Sequence, residues 1–137
     1  MATQVRVRGT SSWFEQTITS RKHEISADEP EEFGGTDHGP TPYELLLSAL
    51  GSCMAITVRM YAKKKGWNLE DVQVELEHHR IHAADCEECE QQTGYIDVIE
   101  KSIKFIGDLS DERKSRLLDI ASRCPVHKTL QNSITIR

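Results

Sequence analysis

Four cysteines carry most of the chemistry open to this sequence: Cys53, Cys86, Cys89 and Cys124. A cysteine reacts as its thiolate, so its surroundings decide whether it is a nucleophile or packing material. Cys53 lies among Gly51, Ser52 and Met54 in an apolar stretch. Small neighbours there let another segment approach closely. Taken alone, Cys53 also reads as a small core hydrophobe. Cys124 directly precedes Pro125, at a break between two helical patterns. That is an N-cap-like position, where free N–H groups and the helix dipole stabilise a thiolate. Arg123 and His127 are close enough in sequence to add positive potential. Packing alone would equally account for a cysteine there.

The other two cysteines belong to HHRIHAADCEEC, which places His78, His79, His82, Cys86 and Cys89 within twelve residues. A CxxC beside histidines suits a tetrahedral zinc site, with Cys86, Cys89, His82 and one of His78 or His79 as ligands. Only one CxxC is present, whereas such sites usually supply a second ligand pair at set spacing. Glu87, Glu88 and Glu90 oppose thiolate formation but favour a bound cation. The plainer reading is a polar hairpin tip with spare thiols. The expected cofactor and metal complement is therefore none, with Cys86, Cys89 and His82 as the candidate ligands should a metal bind.

Elements must position these side chains. Val5 and Val7, then Trp13, Gln16, Ile18 and Ile25, alternate as strands do, with turn residues at Gly9-Thr10-Ser11. DEPEEFGGTDHGPTP is crowded with Gly, Pro and Asp and reads as a loop. Thr41-Pro42-Tyr43-Glu44 then forms a capping box with proline at the first helical position. The helix it starts should run from Pro42 to about Lys65 and stop at Gly66. It is apolar on nearly every side, so it should be central and covered. Two strands follow, about 72–82 and 94–106, joined by the polar AADCEECEQQT. Ser110 caps a charged helix, DERKSRLLDIASR, and PVHKTLQN forms a short helix after Pro125. Residues 133–137 read as a last strand. Strands before and after one long helix indicate an α+β fold with antiparallel sheets, in a single domain covering 1–137.

Bulk properties exclude some functions. The chain has 137 residues and a formal charge of −5, from 17 basic and 22 acidic residues. A general nucleic-acid partner is not expected, because phosphate contacts need clustered Lys and Arg. Lys63-Lys64-Lys65 reads as a solvated helix end. The apolar stretch 45–62 approaches the length of a membrane span, but it carries Arg59, Ser48, Gly51, Ser52 and Thr57, so a buried core helix is expected instead. No secretory or lipidation signal is visible at the start. The expected compartment is the cytoplasm, where cysteines tend to be reactive or metal-binding.

At GPTPYELLLSALGSCMAITV and RCPVHKTL the chain resembles the OsmC/organic hydroperoxide resistance family. The first segment is similar to the family's central-helix signature, the second to its second cysteine motif, and the likeness extends over about residues 4–137. It implies a thiol-dependent peroxidase in which Cys53 attacks the peroxide and Cys124 resolves the sulfenic acid as a disulfide. An external thiol reductant would restore both. It also implies an intertwined homodimer, with a small peroxide as substrate and a swapped N-terminal sheet over the central helix.

The chain departs from the pattern at one position. The organic hydroperoxide reductases carry an acidic residue directly after the helix-starting proline, paired with an activating arginine, and here that place holds Tyr43. Glu44 cannot substitute: nine residues at about 100° each put it on the face opposite Cys53. Tyr43 could instead hydrogen-bond a substrate or sulfenate oxygen. Arg6, Arg8, Arg21 and Arg59 are the candidate arginines. Without the carboxylate, an alternative is a non-catalytic or redox-sensing relative, and another is a metal-binding module at Cys86 and Cys89. The CxxC could also be a redox pair that passes electrons to Cys53 and Cys124.

Overall fold

The computed structural model describes residues 2–91 and 93–137. Gln92, in the segment joining the two long strands, lies outside the described residues, as does Met1. The fold is α+β with antiparallel sheets. The chain forms two compact units, Met1–Leu46 and Leu47–Arg137.

The first unit holds a three-stranded antiparallel sheet in the order β1-β2-β3: β1 (Arg6–Gly9), β2 (Gln16–Ser20) and β3 (His23–Ala27). Its register places Val7 opposite Ile18, and Ile18 opposite Ile25. This apolar row across three strands is the sheet's basic stabilising unit. The following loop is organised by Asp28. Its carboxylate accepts hydrogen bonds from the Glu29 N–H (2.8 Å), the Thr36 N–H (3.3 Å) and hydroxyl (2.7 Å), and the His38 N–H (3.1 Å). The capping box forms as the sequence requires. The Glu44 N–H donates to the Thr41 hydroxyl and the Thr41 N–H to the Glu44 carboxylate, both at 3.2 Å.

Helix α1 spans Pro42–Lys65, and Gly66 follows at φ 70°. In the second unit α1 packs on a two-stranded antiparallel sheet of β4 (Asp71–His82) and β5 (Tyr95–Ile106). Helix α2 (Asp111–Ala121) starts at Ser110, whose hydroxyl accepts from the Arg113 N–H, and α3 (Pro125–Gln131) follows. Leu50, Met54, Val58 and Ala62 recur every fourth position of α1 and form its buried stripe. Leu117, Ala121 and Cys124 join them, with Val74, Leu76, Ile99, Ile103 and Phe105 packed around. Burying each large side chain is worth about 1.5–3 kcal/mol.

Two expectations are corrected. Helix α1 is not covered on every side: Ile56 is 58% and Met60 68% exposed. Its apolar composition exceeds what a two-stranded sheet and two helices can cover. By length and composition α1 could cross a membrane, but its buried stripe packs on β4 and β5 and its Arg59 pairs with Asp71 at 3.1 Å. Residues 133–137 form no strand. Ile134 and Ile136 alternate as a strand would but stay exposed, because alternation yields a strand only where a ladder partner exists.

Candidate functional site

Cys53 and Cys124 come together in the second unit. Cys53 stands on α1 and packs, partly buried, against the core cluster that contains Cys124. Both are free thiols, and Cys53 is close enough to help raise the Cys124 thiol's pKa. Tertiary packing alone creates this pair, because the two lie 71 positions apart in the chain.

Cys124 is the N-cap of α3, with φ −65° and ψ 146°, and Pro125 takes the first helical position. Its Sγ accepts the His127 N–H at 3.3 Å. The side chain is wholly buried, at 0% exposure. Burial raises the Cys124 thiol above its ordinary value of 9.0, and the neighbouring Cys53 adds to the rise. Donation from the His127 and Val126 N–H groups works in the opposite direction without prevailing. The expected thiolate at this cap is therefore corrected: desolvation outweighs the hydrogen bonds, and Cys124 is held as a neutral thiol at neutral pH. The two groups expected to add positive potential are otherwise disposed, while Lys101 brings a charge near His127. Burial, followed by the charge of Lys101, lowers His127 below its ordinary 6.5 and keeps its ring neutral. Arg123 is engaged with Asp119 at 2.8 Å.

The activating groups considered from sequence fall out differently. Arg59 is held by Asp71 and reaches the Glu70 carbonyl at 3.4 Å. Arg6 and Arg8 lie in β1, and Arg21 occupies the β2–β3 turn at φ 55°. All three belong to the first unit. Tyr43 is exposed in the first turn of α1.

Cys86 and Cys89 form a disulfide with their Cα atoms 5.5 Å apart. Disulfide sulfurs are not thiolate ligands. His82 stacks on Tyr95 with ring centroids 4.4 Å apart, and His78 Nε2 donates to the Asp97 carboxylate at 2.9 Å. Among the described residues no group of three or more His, Cys, Asp or Glu is arranged to hold a metal. The candidate zinc set is thus not assembled with this pair oxidised. The disulfide instead borders a cavity of about 360 Å³, which Leu50, Lys101, His127 and Leu130 also line. Sequence reasoning missed Leu50 and Lys101 here, since no local signal ties either to the CxxC.

An antiparallel α+β architecture thus brings two cysteines together between a long helix and a helix cap. A family model described as OsmC-like protein matches residues 35–137, and the chain belongs to this family. Solved structures agree on the fold. An OsmC-like protein from Mycoplasma pneumoniae superposes with a TM-score of 0.74 at 20% identity, covering 96% of this chain and 89% of that one. An organic hydroperoxide resistance protein OsmC from Legionella pneumophila gives 0.66 at 19% identity, covering 100% and 94%. An organic hydroperoxide resistance protein from Elizabethkingia anophelis gives 0.66 at 14%, covering 98% and 91%. No curated protein matches the chain.

Proposed function

We propose that the protein is a thiol-dependent peroxidase working through Cys53 and Cys124. One observation carries this reading: the two free cysteines of distant motifs meet side by side, one partly accessible and one wholly buried. The Cys53 thiolate attacks one peroxide oxygen, the O–O bond breaks, and the leaving oxygen departs as an alcohol or water once protonated. Cys53 becomes a sulfenic acid. The Cys124 thiol displaces the sulfenic oxygen as water and forms the Cys53–Cys124 disulfide. An external thiol reduces this by two exchange steps. Cys124 suits the second role because its burial shields the thiol from direct oxidation; it attacks as the thiolate when its proton passes to the departing sulfenic hydroxyl, which leaves as water. Cytoplasmic placement belongs to this reading as well, since the cycle needs a reducing thiol pool.

Cys53→Ser should abolish consumption of cumene hydroperoxide measured with dithiothreitol as reductant. Cys124→Ser should retain a first turnover and then accumulate sulfinic acid at Cys53, read by mass spectrometry. Full turnover by Cys53→Ser would remove the proposal.

A second reading is favoured by the engagement of Arg59 with Asp71. Without that arginine at the thiol, the protein would form the 53–124 disulfide once and act as a redox sensor. Stoichiometric disulfide formation with no sustained peroxide loss in the same assay would select it.

A further inference from the structure

The oxidised CxxC is not used by the chemistry above. We propose that Cys86 and Cys89 are an internal electron relay through which the external thiol reduces the Cys53–Cys124 disulfide. The inference rests on the peroxidase or sensor reading only for the existence of that disulfide.

Three observations support it. First, the cavity beside the Cys86–Cys89 disulfide reaches residues that hold the other pair. His127 lines it and also donates its N–H to Cys124 Sγ. Leu50 lines it one helical turn before Cys53 and packs in the same buried cluster as Cys124. Second, the two pairs differ in access. Cys124 is wholly buried and Cys53 half-buried on the core helix, whereas both Cys86 and Cys89 are half-buried in a loop whose Glu87, Glu88 and Glu90 stand in solvent. A bulky external thiol meets the loop sulfurs more easily. Third, Cys86 and Cys89 stand with their Cα atoms 5.5 Å apart and close as a disulfide, as a relay pair must on passing its electrons to the 53–124 disulfide. The surrounding carboxylates favour that direction, because they oppose thiolate charge at Cys86 and Cys89 and so favour the oxidised loop. A purely structural staple is the weaker account, since a ring this short restrains the unfolded chain least.

The exchange balances. A loop thiolate attacks one sulfur of the 53–124 disulfide, giving a mixed disulfide and one freed thiol. The second loop thiolate attacks the loop sulfur of the mixed disulfide, closing Cys86–Cys89 and freeing the other core thiol. Two electrons and two protons move from the loop pair to the core pair. The external thiol then reopens Cys86–Cys89 and is itself oxidised to its disulfide.

The test needs no peroxide. The protein is oxidised at both pairs with diamide, freed of reagent, and mixed with one equivalent of dithiothreitol. Differential alkylation and peptide mass mapping then follow each pair in time. The relay predicts that wild type settles with 53–124 reduced and 86–89 closed. In Cys86→Ser/Cys89→Ser, reduction of 53–124 should slow about tenfold or more, as expected when only the half-buried Cys53 sulfur on the core helix is left for the external thiol to attack. In Cys86→Ser or Cys89→Ser alone, a mixed disulfide joining the loop to Cys53 or Cys124 should accumulate. Equal 53–124 reduction rates in wild type and the double variant would overturn the relay, as would the absence of a mixed disulfide in both single variants. Peroxide consumption, assayed separately, reports on the peroxidase reading alone.

Discussion

At the scale of single residues, placement decides which thiol does what. Cys124 accepts a helix-capping N–H yet is kept neutral because its burial outweighs that bond. Asp28 shows the opposite balance. Its carboxylate is buried, but four donors surround it, the Thr36 hydroxyl foremost, and they hold it well below its ordinary 3.8, at about 2. A carboxyl whose folded pKa is depressed stabilises the fold above its unfolded value and loses that contribution as pH falls through the folded one. Stability should therefore drop between about pH 4 and pH 2 in wild type. Asp28→Asn should unfold several degrees lower at pH 7 and show a flatter pH dependence across that window, read by circular dichroism melts. An unchanged acid limb in the variant would remove Asp28 from the account.

At the scale of elements, the second unit depends on close approaches that leave no room for side chains. Gly107 follows β5 at φ 143°, and a Cβ there would strike the backbone of Asn68. Gly107→Ala should cost about 1–3 kcal/mol, seen as a lower urea midpoint at unchanged slope. The buried stripe of α1 is equally sensitive. Met54 is wholly enclosed, and Met54→Ala should cost about 2–5 kcal/mol. Because Cys53 adjoins Met54 in the chain, this variant should also slow formation of the 53–124 disulfide. Normal disulfide kinetics in a destabilised Met54→Ala would show that core packing does not set the thiol geometry.

At the scale of the whole molecule, the exposed apolar residues of α1 need cover. Ile56 and Met60 present large apolar surfaces on a helix already committed on its other face. The homodimer implied by the family likeness, with the N-terminal sheet of one protomer over the partner's helix, would supply that cover. Sedimentation velocity should give a dimer for wild type and a shift toward monomer for Ile56→Glu/Met60→Glu. A wild-type monomer at micromolar concentration would exclude it.

Much of the architecture was legible in the chain itself. The Thr41-Pro42-Tyr43-Glu44 box, Gly66, Ser110 and Pro125 set element ends because capping and backbone restriction are local effects. The alternation of Val72, Val74 and Leu76 marked the strand face that meets α1 for the same reason. The two cysteine motifs could be found by inspection. Three things were not local. Residues 133–137 alternate like a strand but lack a ladder partner. Cys124 looked like a cap-stabilised thiolate, yet its protonation is set by burial among residues distant in sequence. Cys86 and Cys89 had no visible relation to Leu50, Lys101 or His127 until folding placed them around one cavity. The sequence by itself determined which thiols exist and which elements carry them. The tertiary structure decided which thiols meet, which are desolvated and which face solvent, because proximity and burial arise from packing between segments far apart in the chain.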